Sequence, residues 1–206
     1  PEADGRRVIV GKRGNRWRAF MTLCRSLGIK TEYAVAKNRL SPAAPGQITQ
    51  ATQYVEPLVR VSTGQGPIWL TVASKFAPFG YVPAEIRGVE AFVLTEAGPK
   101  KIVTPAGGTE DSVTYEGTVD LAADGSAKLN LVQSFSGKYA MAVRSAFIQL
   151  PESQLRDLVE SKLLARALRG ARLLSHEITH LDDLDHPLLL KMKAEMPGFA
   201  QSVGGD

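Results

Sequence analysis

The chain has 206 residues, 44% of them hydrophobic and 22% charged, the composition of a globular protein long enough to bury a core in one large domain or two small ones. It contains no apolar run of about 18 residues, so no transmembrane helix is expected, and one cysteine, Cys24, leaves no internal disulfide and no cysteine-rich metal site. The net charge of +4 is mildly basic. It comes from short clusters at 11–18 and 166–172 that lack an interleaved stacking pattern of aromatics, so they read as solvated helix ends and carry no specific nucleic-acid signal.

The chain begins at Pro1 without a visible signal peptide, as a fragment or a mature form would. Residues 15–27 predict a helix: Asn15 is a good N-cap, Phe20, Leu23, Cys24 and Leu27 recur at helical spacing, and Gly28 is a stop. Residues 29–38 read as a strand and 40–52 as a loop. Two strands, 54–63 and 67–73, flank Gly64-Gln65-Gly66 as a hairpin, with Pro57 suited to an edge or a bulge. A loop over 75–83 and a short strand over 89–94 follow.

Residues 96–111, rich in Gly, Pro and charge, predict a domain boundary, giving domains 1–95 and 96–206. Beyond it, strands 113–122 and 127–135 flank Asp124-Gly125, a strong hairpin signal. Helices are expected over 138–150 and 152–168, the second opened by Pro151, then strands over 172–181 and 188–195. The tail, 201–206, is expected to be disordered. Strands and helices in separate runs argue for an α+β fold.

Three segments together resemble the transglutaminase-like superfamily, in the bacterial branch with an appended β-rich C-terminal domain. They are Gly14-Asn15-Arg16-Trp17 with Leu23-Cys24-Arg25-Ser26-Leu27-Gly28-Ile29, then Tyr54-Val55-Glu56-Pro57-Leu58-Val59, then Ile68-Trp69-Leu70-Thr71; the loop 77–83 fits as well. The order and spacing match across residues 11–95. The resemblance implies a papain-like core, a helix packed on an antiparallel sheet, and a C-terminal β-rich domain with two helices. In that family a Cys at a helix N-terminus is the nucleophile, a His on a neighbouring strand its base and an Asp the orienting group.

Here the matching positions hold Arg16, Glu56 and Thr71. A guanidinium stays protonated and is no nucleophile, Glu56 has no nucleophile to serve, and Thr71 lacks the orienting charge. The expectation is therefore a non-catalytic protein with no cofactor that binds a protein or peptide or acts as a scaffold. Its cleft candidates are Arg16, Trp17, Glu56 and Trp69, with Arg16 and Glu56 placed to form an ion pair. The resemblance further implies a periplasmic or cell-envelope location. Cys24 lies two turns into the helix and reads as a buried hydrophobe, which disfavours the third reading, an active cysteine acyltransferase or protease.

A rival signal lies in His176-Glu177-Ile178-Thr179-His180, with His186 six residues on. On a helix this spacing would bind zinc through His176, His180 and His186, with Glu177 as general base of a metallopeptidase. Against it, the turn position normally held by Gly is Asp183, and the β-branched pair Ile178-Thr179 favours a strand, on which His176, Ile178 and His180 share one face.

Overall fold

The structure is a computed structural model that describes residues 7, 8, 10, 11, 14–41 and 51–200. The chain is α+β, with two antiparallel sheets and three main helices among the described residues, and divides into compact units at 1–110 and 111–206. Most of the expected loop over 40–52 and all of the tail fall outside the described residues.

The first unit holds α1 (Arg16–Ser26), β1 (Thr31–Lys37), β2 (Tyr54–Thr63), β3 (Gly66–Leu70), β4 (Glu90–Thr95) and β5 (Gly98–Val103). The sheet order is β3-β2-β1-β4-β5. Asn15 caps α1 through its side chain, which accepts from the Arg18 N–H. At the other end Gly28 adopts φ 72°. Its N–H donates to the Arg25 carbonyl and that of Ile29 to the Cys24 carbonyl, the paired bonds of a Schellman stop that glycine makes inexpensive.

The buried face of α1 differs from the expected one. Trp17, Phe20 and Met21 pack on Val59, Val61 and Leu70, and Cys24 is buried, while Leu23 and Leu27 are 47% and 74% exposed. The stripe 17, 20, 21, 24 has the same period, rotated by a fraction of a turn, and gains the indole of Trp17 in edge-on contact with Tyr33. The opposite face of the sheet buries Ala34, Ala36, Leu58, Trp69, Ala91 and Val93 under Val82 and Ile86.

β5 corrects the boundary expected at 95/96. Gly98–Val103 pairs along its length with β4, so the stretch expected to hold the boundary includes the outer strand of the first sheet. Pro99, Lys100 and Lys101 conceal it because an edge strand has one solvated rim, which tolerates proline and charge. The third expected strand, 67–73, ends at Leu70.

The second unit contains β6 (Val113–Leu121), β7 (Ala127–Phe135), α2 (Gly137–Phe147), α3 (Glu152–Leu158), β8 (Arg172–Thr179) and β9 (Leu188–Met196), with sheet order β6-β7-β9-β8. The expected hairpin at Asp124-Gly125 forms, with Asp124 Oδ1 accepting from the Ser126 N–H and hydroxyl. One sheet face carries the core: Leu129 and Phe135 from β7 and Leu188, Leu190 and Met192 from β9 pack with Ala140, Phe147, Leu155, Val159 and Leu164.

The helix expected over 138–150 ends at Phe147. That expected over 152–168 is not uniform: after α3 the chain passes through a π-helical stretch, Val159–Leu164, and closes with a short α turn, Ala165–Ala167. Val159 and Leu164, five apart, are both fully buried. Five residues overshoot one α turn by a wide angle but nearly close one π turn, so the wider winding brings both side chains to the core.

Candidate functional site

Arg16 is the first residue of α1, and its Nη1 donates to the carbonyl of Ala73, at 3.2 Å. Ala73 lies just past the end of β3. The β2–β3 ladder ends at the Val59–Leu70 pair, and Thr71 follows it directly. Thr71 is buried; its N–H donates to the Tyr81 carbonyl, and its hydroxyl accepts from the Ala73 N–H at 3.2 Å. Arg16 therefore meets the chain just past β3, two residues beyond Thr71.

The side chains are not arranged as expected. The carboxylate of Glu56 is held by Asn38 Nδ2 at 3.0 Å, and Arg16 is held by a backbone carbonyl, so the expected Arg16–Glu56 ion pair is replaced by two separate hydrogen bonds. Glu56 lies opposite Ala36 in the ladder, on the sheet face of Leu58 and away from the face on which α1 packs. Trp17 and Trp69 are likewise on opposite faces, and Trp69 is only 6% exposed. The four expected cleft residues do not line one cleft: Trp69 belongs to the core, Trp17 and Glu56 are half-buried on opposite faces, and Arg16 is exposed.

Nothing at this end can act as a thiol nucleophile. Cys24, two turns along α1, is 7% exposed, and burial pushes its thiol above the ordinary value, the direction that disfavours the nucleophilic thiolate.

The histidine segment takes the extended form. β8 covers Arg172–Thr179, with His176 opposite Met192 and Ile178 opposite Leu190 on the core side. Glu177 faces the other way and pairs with Lys191 at 3.3 Å. The helical zinc arrangement expected from the motif is therefore not formed, since its first ligand and its base lie on opposite faces of a sheet. His176 Nε2 is 3.6 Å from Glu152.

His180 and His186 instead belong to the turn that joins β8 to β9. The Nδ1 of His180 is 3.0 Å from the Pro187 carbonyl, that of His186 is 2.7 Å from Asp183 Oδ2, and the two rings lie 5.1 Å apart. The hydrogen bond from His186, then that from the Asp185 N–H, holds the Asp183 carboxyl below its ordinary value. Among the described residues, no group of three or more His, Cys, Asp or Glu side chains is placed to hold a metal ion.

This turn is organised by Arg144, whose importance the sequence reading missed. Arg144 is 1% exposed, and its guanidinium donates to the carbonyls of His180, Asp183 and His186 at 3.0, 2.5 and 2.9 Å. Burial lowers its pKa, partly offset by Asp183. The signal was present: Gly137, Ala140, Arg144 and Phe147 form one buried stripe of α2, and a charge on such a stripe requires a full set of acceptors.

No protein-family model, curated protein or solved structure matches the chain. No described helix is long and apolar enough to cross a membrane.

Proposed function

We propose that this chain is a non-catalytic, transglutaminase-like protein that binds a protein or peptide or serves as a scaffold, with no cofactor. The observation that carries the reading is the bond from Arg16 to the Ala73 carbonyl. At the helix end where the family would hold a thiolate, a fixed cation ties α1 to the end of β3. Glu56 accepts from Asn38 and Thr71 from the Ala73 N–H, so neither side chain is bonded to Arg16. The burial of Cys24 supports the same reading. A periplasmic or cell-envelope location is proposed on the resemblance alone.

Two experiments test this. The protein is incubated at neutral pH with a peptide amide and hydroxylamine, and separately with iodoacetamide. No hydroxamate and no rapid labelling of Cys24 are expected; turnover that Cys24→Ala abolishes would sink the reading. A peptide array then compares the protein with Arg16→Glu. Carboxylate-bearing peptides are expected to lose binding in the variant, and an unchanged pattern removes Arg16 from the binding surface.

A further inference from the structure

Two sheets present four edge strands among the described residues: β3, β5, β6 and β8. Three carry features that discourage strand addition. β3 contains Pro67; β5 contains Pro99, Lys100 and Lys101; β8 opens on Arg172 and carries a register irregularity between Leu173 and Ser175. β6 has none of these. It is nine residues long, pairs with β7 without a register break and holds no Pro, Lys or Arg.

All but the first residue of β6 are exposed. Its odd-numbered side chains lie opposite Phe135, Gln133, Leu129 and Ala127, so they extend the apolar face of the sheet. Tyr115, Val119 and Leu121 are 63%, 47% and 58% exposed there. A groove of about 430 Å³ continues this strip from Val113 and Tyr115 onto Leu163 of the π-helical stretch.

We propose that β6 pairs antiparallel with β6 of a second copy of the chain about a two-fold axis at Gly117, joining two four-stranded sheets into one. The sequence is self-complementary in that register. Val113 meets the second copy's Leu121 and Tyr115 meets its Val119, so apolar side chains of the two copies lie side by side in cross-strand contact. On the other face Thr114 meets Asp120 and Glu116 meets Thr118, so no acid stands directly opposite an acid. Gly117 suits the axis for a further reason: a Cβ there would come within 2.7 Å of Leu131 and 2.8 Å of the Asn130 carbonyl. The axis therefore falls where the strand has no side chain to accommodate twice. A two-fold contact of this kind closes on itself and leaves no growing edge on β6. This inference goes beyond the proposed function, since it names a partner and a surface that the first unit does not supply.

Sedimentation velocity of the full chain over a hundredfold concentration range tests it. A monomer–dimer equilibrium is expected, weakened at least tenfold by Val119→Lys, with circular dichroism showing that the variant stays folded. Register is tested in a Cys24→Ala background. Glu116→Cys with Thr118→Cys should give a disulfide dimer on mild oxidation, and Thr114→Cys with Glu116→Cys should give far less. A protein that is monomeric throughout overturns the proposal and leaves β6 to an extended segment of another protein. A dimer indifferent to Val119→Lys, or cross-linked equally by both cysteine pairs, overturns it as well.

Discussion

The guanidinium of Arg16 and the carbonyl of Ala73 are 3.2 Å apart, a bond between the first turn of α1 and the chain leaving β3. A cation at a helix N-terminus is unfavourable on dipole grounds, and an acceptor lost from it would leave that cost uncompensated. Arg16 is exposed, so the bond itself is modest. Arg16→Ala is expected to change stability by no more than about 1 kcal/mol, measured by urea denaturation. A loss several times larger would mean that Arg16 holds the unit together rather than occupying a site.

Arg144 is predicted to matter far more. Its charge is fully buried and serves three carbonyls of the β8–β9 turn. Arg144→Met keeps much of the volume but orphans those acceptors, and a cost of about 2–4 kcal/mol is expected. Amide exchange at residues 180–186 should accelerate in the variant; unchanged exchange there would mean that the turn is held by other contacts.

Gly125 is predicted to reject any side chain. Its φ is 80°, and a Cβ would lie 2.2 Å from the Ala200 carbonyl oxygen, to which the residue's neighbourhood is already tied by the Ala200 N–H to Gly125 carbonyl bond. Gly125→Ala should cost about 1–3 kcal/mol, read as a shift in thermal midpoint. A neutral outcome would show that the hairpin and residue 200 can separate freely.

Glu90 sets an acid dependence. Hydrogen bonds from Lys101 first and Lys37 next, with the Tyr54 hydroxyl, lower its carboxyl from 4.5 to about 2. A carboxyl whose folded pKa is depressed binds its proton more readily when unfolded. Its stabilising effect is therefore complete above pH 4.5 and fades as pH falls toward 2. Wild type and Glu90→Gln should differ in urea midpoint at pH 6 and converge near pH 2; a difference independent of pH would remove the charge as the cause.

Much of the fold was legible because its elements carry local punctuation. Asn15 and Gly28 bracket α1, and Asp124-Gly125 closes its hairpin. What escaped was decided by tertiary context. The inward face of α1 is fixed by where Val59 and Leu70 sit, which the helix period alone does not reveal. β5 is an edge strand whose lysines and proline mimic a loop. The HExxH segment, by contrast, was legible as a strand from its β-branched Ile178-Thr179 pair, and the pairing of His176 with Met192 and Glu177 with Lys191 bears that out. At the candidate site the three positions came from the family resemblance alone, while the partners of Arg16 and Glu56 are Ala73 and Asn38, which no motif singled out.

The most direct measurement rebuilds the triad on these positions. Arg16→Cys alone is compared with Arg16→Cys, Glu56→His and Thr71→Asp together, both in a Cys24→Ala background, by the pH dependence of alkylation with iodoacetamide. Glu56 lies on the sheet face away from α1, so the account predicts that the two variants share one alkylation profile, a thiol at position 16 gaining no base from position 56. A triple variant that titrates at lower pH than the single one and reacts about tenfold faster near pH 6 would contradict the account, because the three side chains would then converge on one reacting atom.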